Sequence, residues 1–234
     1  MGLQRYLAGT AKEIFGVSSS WGCAAFLGCH FAPYNNGLMV LEELPRCDMV
    51  ILSDRIPVLG HDPDTVTGQL REILEQAGAD CVLLDFQRAE NPQTAAIVKA
   101  AAALPCPVAV TAGYGHCSEG PVFVEIPMHR PLTDAAQQWP GRELWLDVAG
   151  NTQQATVTAE GAVFTSLPPA LPHGLCHRDE ALHCSYRIRV LEDWAEFTLF
   201  RTKEDMDSLL QEAEALGFAK AIGLYQELQT VLEF

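Results

Sequence analysis

Polar and ionisable residues recur in this chain where apolar runs stop. Cys81-Val82-Leu83-Leu84 runs into Asp85, Phe86 and Gln87, Pro121 to Val124 into Glu125, Leu144 to Leu146 into Asp147, and Ala221 to Leu224 into Tyr225, Gln226 and Glu227. Carboxyl groups brought together this way suit glycosidic cleavage, in which one group protonates the leaving oxygen and another stabilises or attacks the sugar carbon. Asp85, Glu125 and Glu227 are the candidate catalytic acids. Glu125 and Glu227 are the candidate proton donors, since burial at the end of an apolar strand raises a carboxyl pKa. Gln87, Tyr114, Asp147, His183, Tyr225 and Gln226 are candidate substrate contacts, with Tyr225 a platform for a pyranose face. The competing reading for each acid is structural, as a partner for Arg55, Arg88, Arg130 or Arg201.

Positioning these groups requires strands that end together. Apolar runs predict strands at 23–30, 48–54, 81–87, 107–113, 121–126, 143–148, 195–201 and 219–225. Helical periodicity covers Asp64 to Ala77, Asn91 to Leu104 and Thr202 to Leu216, the last opened by an N-cap with acids in its first turn and closed by Gly217. Residues 2–15 read as a short helix outside the core, broken by Ser18-Ser19-Ser20. Strand and helix alternation implies a parallel sheet under helices, and eight strands suggest closure. The expected fold class is α/β, a compact, irregular (β/α)8 TIM-type barrel in one domain over residues 1–234. The connections between the fourth, fifth and sixth predicted strands are too short for full helices, and an open doubly wound sheet is the alternative. Residues 152–190 interrupt the rhythm: Ala155 to Thr158, a turn at Ala159-Glu160-Gly161, and Ala162 to Thr165 form a β-hairpin inserted after the sixth predicted strand, on the face of the strand tips.

Composition narrows the ligand. Thirty acids against 15 bases give a formal charge of −15, which repels phosphate backbones and anionic membranes and suits a neutral or cationic small molecule or oligosaccharide. No apolar run is long enough to span a bilayer, and no secretion-type leader opens the chain, so the expected setting is cytoplasmic. Cys23, Cys29, Cys81 and Cys106 lie in or beside apolar runs and read as reduced core residues. No cofactor is implied: a Walker loop, a Gly-x-Gly-x-x-Gly turn and a Gly-x-Ser-x-Gly elbow are all missing.

Two constellations stand apart. His173, Cys176, His177, His183 and Cys184 place five metal-capable side chains within twelve residues, although their spacing matches no zinc motif. No metal is assigned to them; a metal-dependent hydrolase built on His183 is a further alternative, behind His183 as a polar contact in the barrel mouth. Cys117 beside His116 has the composition of an activated thiol, but a flexible Gly-rich loop with incidental Cys and His is the preferred reading.

The segment Asp80 to Gln87 resembles the catalytic strand of family 18 glycoside hydrolases, the chitinase-like barrels, whose motif runs Asp-Gly-x-Asp-x-Asp-x-Glu. Asp80 falls on its first Asp and Asp85 on its last, whereas Cys81 replaces the Gly, Leu83 the middle Asp and Gln87 the general-acid Glu. The resemblance implies that Asp85 holds a substrate acetamido group and that Gln87 cannot deliver a proton. It also implies a fourth barrel strand, where the count above makes this the third. The expected function is therefore a glycoside hydrolase-like protein binding carbohydrate at the C-terminal face of a barrel, or a non-catalytic sugar-binding relative.

Overall fold

The computed structural model describes residues 2–15, 21–34 and 36–232. In chain order the elements are β1 (Gln4–Gly9), α1 (Ala11–Phe15), β2 (Gly22–Phe31), β3 (Leu38–Val40), β4 (Met49–Ser53), α2 (Pro63–Ala77), β5 (Cys81–Asp85), α3 (Pro92–Ala101), β6 (Val108–Thr111), a 3-10 turn (Ala112–Cys117), β7 (Val122–Glu125), α4 (Leu132–Gln138) and β8 (Leu144–Asp147). A second sheet follows, of β9 (Thr152–Thr158), β10 (Gly161–Leu167), β11 (His177–Asp179), β12 (Cys184–Val190) and β13 (Ala195–Phe200). Then come α5 (Lys203–Ala215), β14 (Lys220–Leu224) and α6 (Tyr225–Leu232).

Eight parallel strands close into a barrel. The order is β1-β14-β8-β7-β6-β5-β4-β2, and β1 also pairs with β2, so the sheet has no gap; β3 is added antiparallel to the outside of β2. Closure removes the doubly wound alternative. Successive side chains of a strand face opposite ways, and here both faces are apolar. Leu83, Ile51, Ala109, Phe123, Trp145, Ile222 and Tyr6 fill the barrel interior. Their neighbours Val82, Leu84, Val50 and Val110 pack outward with residues of α2 and α3, and Val122, Leu146 and Ala221 with residues of α4 and α5.

Two predicted elements change place. Residues 2–15 contribute the first barrel strand, with Tyr6 and Ala8 inward and Leu7 outward, followed by the short α1. A strand buried on both faces lacks polar alternation, and Leu3, Tyr6, Leu7, Ala11 and Ile14 happen also to fit helical spacing. Ser18 to Ser20 lie outside the described residues. Conversely, Ala195–Phe200 pairs antiparallel with β12 and β9 and belongs to the second sheet. Its alternation of Ala195, Phe197 and Leu199 with Glu196 and Thr198 is the mark of a strand with one wet face. The strand total is thus unchanged, but β5 is the fourth strand of the barrel in chain order.

The second sheet, ordered β10-β9-β13-β12-β11, stands between the seventh and eighth barrel strands in place of a simple helical crossover. Its β9–β10 hairpin turns at residues 159–160, where the sequence places it. It is tied to the barrel through Met128, which packs with Ala155, Cys184 and Leu199 and whose N–H donates to Gln153 Oε1 at 3.1 Å. The short connections are also as expected: the 3-10 turn stands in for a helix after β6, and α4 has only seven residues.

Candidate functional site

Strand parity decides which acids meet. On β5, β7 and β8 the inward residues Leu83, Phe123 and Trp145 are each followed two positions later by Asp85, Glu125 and Asp147. All three carboxyls are thereby aimed over the barrel's apolar fill at its C-terminal mouth, the end where barrel enzymes carry their chemistry. Glu125 and Asp147 are register partners on adjacent strands, and Asp85 is the partner of Ser53. Glu227 reaches the same region from the first turn of α6, where its Oε2 accepts a hydrogen bond from Gly150 N at 3.1 Å.

Two cavities occupy the mouth. One, of about 410 Å³, is lined by Phe86, Gln87, Arg88, Ala89, Glu90, Thr111, Ala112, Gly113, Tyr114, Phe123, Glu125 and Asp147. The other, of about 520 Å³, is lined on the opposite side by residues including Thr10, Glu13, His30, Ser53, Arg55, Asp85, Leu224 and Gln226. Gln87 and Asp85 join the two: Gln87 Nε2 donates to Asp85 Oδ1 at 2.6 Å.

The loop carrying Gln87 is held from below by a residue whose importance the sequence did not signal. Asp54, only 2 % exposed, accepts Gln87 N on Oδ1 and Arg88 N on Oδ2, each at 2.9 Å. Arg88 Nε donates back to the Asp54 carbonyl at 2.9 Å, and Tyr114 OH donates to the Arg88 carbonyl at 3.2 Å. Tyr114, itself 2 % exposed and edge-on to Phe86, therefore serves the wall as much as the cavity.

The carboxyls differ in environment. Burial, then the negative charges of Glu125, Glu227 and Asp85, pushes the Asp147 carboxyl well above the ordinary range, and the nearby Arg201 guanidinium only partly opposes this. Asp85 is raised by burial, with its Gln87 hydrogen bond pulling the other way. Glu227 is also raised by burial, against the hydrogen bonds from Gly150 and Asn151. Such crowding favours a proton retained within the cluster. Arg201, 3 % exposed, spends its hydrogen bonds on the carbonyls of His183 and Ala149.

Other candidates lie elsewhere. His183 places its ring against α5, with Nδ1 2.9 Å from Ser208 Oγ and Nε2 paired with Glu212, and it lines neither cavity. Tyr225 packs against the outer cluster that contains Trp21, Val148 and Leu228, so the cavity wall beside it is made by Leu224 and Gln226. Gln226 donates to Glu13 Oε1 at 2.9 Å. Cys184 is fully buried and directs its thiol to the Met128 carbonyl, while Cys176 turns to Pro172 and Gly174. Among the described residues, the His173 to Cys184 stretch supplies no convergent ligand set; the one such group is Glu90, His116 and Cys117. Burial and the Glu90 carboxylate raise the Cys117 thiol, the opposite of what an activated nucleophile needs. The eight cysteines are free thiols, and no described helix is long and apolar enough to cross a membrane.

Solved structures share this architecture. A chitinase-like agglutinin from Robinia pseudoacacia superposes with a TM-score of 0.65 at 9% identity, covering 95% of this chain and 94% of that one. The fold is that of the chitinase-like barrels. A class V chitinase variant from Nicotiana tobaccum, solved in complex with NAG4, gives 0.60 at 10% identity over 95% and 93% of the two chains. A glycoside hydrolase family 18 N-acetylglucosaminidase from Paenibacillus barengoltzii gives 0.58 at 7% identity over 94% and 93%. No protein-family model and no curated protein matches the chain.

Proposed function

We propose that this chain uses the chitinase-like barrel to bind an oligosaccharide of N-acetylated amino sugars across the mouth, without the proton transfer that the fold's fourth strand usually supplies. The observation that carries this reading is the position of β5 as fourth barrel strand. That position supports reading Asp85 and Gln87 onto the last Asp and the general acid of the resembling motif. Asp85 then receives the acetamido group. Gln87 carries an amide in place of an acid, and that amide already donates to Asp85 at 2.6 Å. A neutral N-acetylated sugar also suits a chain of formal charge −15. The cavities on either side of the Asp85–Gln87 pair provide length for several sugar units.

One observation favours a second reading, hydrolysis with a proton donor on a different strand. Asp147 is the carboxyl that burial and three neighbouring acids push well above the ordinary range, the direction a proton donor needs. In this reading Asp147, ahead of Glu125 and Glu227, protonates the leaving oxygen.

Mass analysis of chito-oligosaccharides after prolonged incubation separates the two. The binding reading expects intact oligosaccharide with the wild type, together with a ligand-dependent rise in melting temperature, since ligand at 100 times its dissociation constant adds about 2.7 kcal/mol. Cleavage that survives Gln87→Leu and is lost in Asp147→Asn establishes the second reading. The absence of both cleavage and thermal shift overturns both.

A further inference from the structure

Glu90, His116 and Cys117 come from two loops and meet beside the smaller cavity. His116 Nε2 lies 3.1 Å from Glu90 Oε2 and 3.4 Å from Cys117 Sγ, and Cys117 Sγ lies 3.6 Å from Glu90 Oε1. In a tetrahedral zinc site with bonds of about 2.0–2.3 Å, neighbouring ligand atoms stand roughly 3.3–3.6 Å apart. The His116–Glu90 and His116–Cys117 edges are close to that spacing; the Cys117–Glu90 contact uses the other carboxylate oxygen, and one ligand atom from each of the three residues lies within 4.8 Å of the other two.

The arrangement differs from a nucleophile relay. A Cys-His-acid relay puts the thiol on one imidazole nitrogen and the carboxylate on the other; here both approach the same Nε2. Ligand atoms converging on one point are what a cation requires. The supports are also in place. Glu90 directly precedes Asn91, whose Oδ1 caps α3 by accepting from Gln93 N and Thr94 N, and the Tyr114–Arg88 hydrogen bond ties the 3-10 turn to the Glu90 loop.

We propose that Glu90, His116 and Cys117 form a three-ligand site for a zinc-type divalent cation at the rim of the smaller cavity, with a fourth position for water. On coordination the Cys117 thiol gives its proton to solvent as the sulfur–metal bond forms. The proposal does not rest on what the barrel mouth binds, although Glu90 also lines the smaller cavity.

Protein prepared without chelator or metal-affinity resin and freed of metal is titrated with Zn²⁺ against a chromophoric competitor, and with Cd²⁺ while thiolate-to-metal charge-transfer absorbance is followed. The expected result is one equivalent of either ion per chain. The charge-transfer band disappears in Cys117→Ser and persists in the control Cys176→Ser. His116→Ala and Glu90→Gln weaken binding on the order of tenfold or more. Glu90 and His116 are exposed, so these variants keep the wild-type melting temperature without metal, which shows that they fold. Lack of saturation at one equivalent, or an unchanged band in Cys117→Ser, overturns the proposal.

Discussion

Asp54 lines neither cavity, so replacing it by Asn perturbs the mouth only through the Gln87–Arg88 loop that it holds. The Asp54 carboxylate accepts two backbone N–H groups, from Gln87 and Arg88, both at 2.9 Å, from a position 2 % exposed. A hydrogen bond to a charged group contributes about 1.5–3 kcal/mol net, and a neutral one about 1 kcal/mol. Asn keeps one acceptor, now uncharged, and turns its NH₂ toward the second N–H. Losing one charged bond and weakening the other costs about 2–5 kcal/mol, with about 2–3 kcal/mol expected because Gln87 and Arg88 are themselves exposed and water can reach their loop. For a domain of this size each kcal/mol lowers the melting temperature by roughly 2–4 °C, so a fall of roughly 4–12 °C is expected for Asn. Asp54→Ala, which strands both amides, falls further. Calorimetry at neutral pH reads the effect directly. An Asn variant within about 1 °C of wild type, or an Ala variant no worse than Asn, would refute the view that this carboxylate fixes the Gln87 loop.

Two further outcomes follow from the mouth. Because burial and neighbouring acids raise the Asp147 carboxyl in the folded chain, its stabilising contribution is complete below the unfolded carboxylate range and is lost as pH rises through the raised folded value. Asp147→Asn is thus expected to be more stable than wild type at neutral pH, with the advantage shrinking toward pH of about 4 in urea unfolding; a variant less stable at neutral pH would instead mean that Arg201 fully compensates the carboxylate. Gly150 sits where an added Cβ would stand 2.6 Å from the Glu227 backbone oxygen. Gly150→Ala should therefore displace the start of α6, cost about 1–3 kcal/mol and weaken ligand binding, whereas unchanged stability would show that the junction is slack.

Much of this was readable from the residues because the barrel strands are short, apolar and end in marked polar groups. Asp85, Glu125, Asp147 and Glu227 all follow such runs; parity along the strands explains the convergence of the first three, and Glu227 joins them from the first turn of α6. The second sheet announced itself through Ala159-Glu160-Gly161. What the sequence hid has physical causes. A first strand buried on both faces has no period of two in polarity, so Gln4–Gly9 looked helical. Ala195–Phe200 does have that period, and this is the feature that separates it from the barrel strands. His183 and Tyr225 end or flank apolar runs just as the true mouth residues do, and only their packing against α5 and the outer core separates them. Asp54 was visible as a strand tip, but its role lies in bonds to backbone amides 33 and 34 residues away, which no local pattern encodes.

The proposed sugar-binding mouth is tested most directly by calorimetric titration of chitotetraose into the wild type and Asp85→Ala. The account expects saturable binding of one oligosaccharide per chain, on the order of tenfold weaker or more in Asp85→Ala, with the variant's melting temperature not reduced, since burial disfavours the carboxylate it removes. No saturable heat with the wild type, or equal affinity in the two proteins, would contradict it.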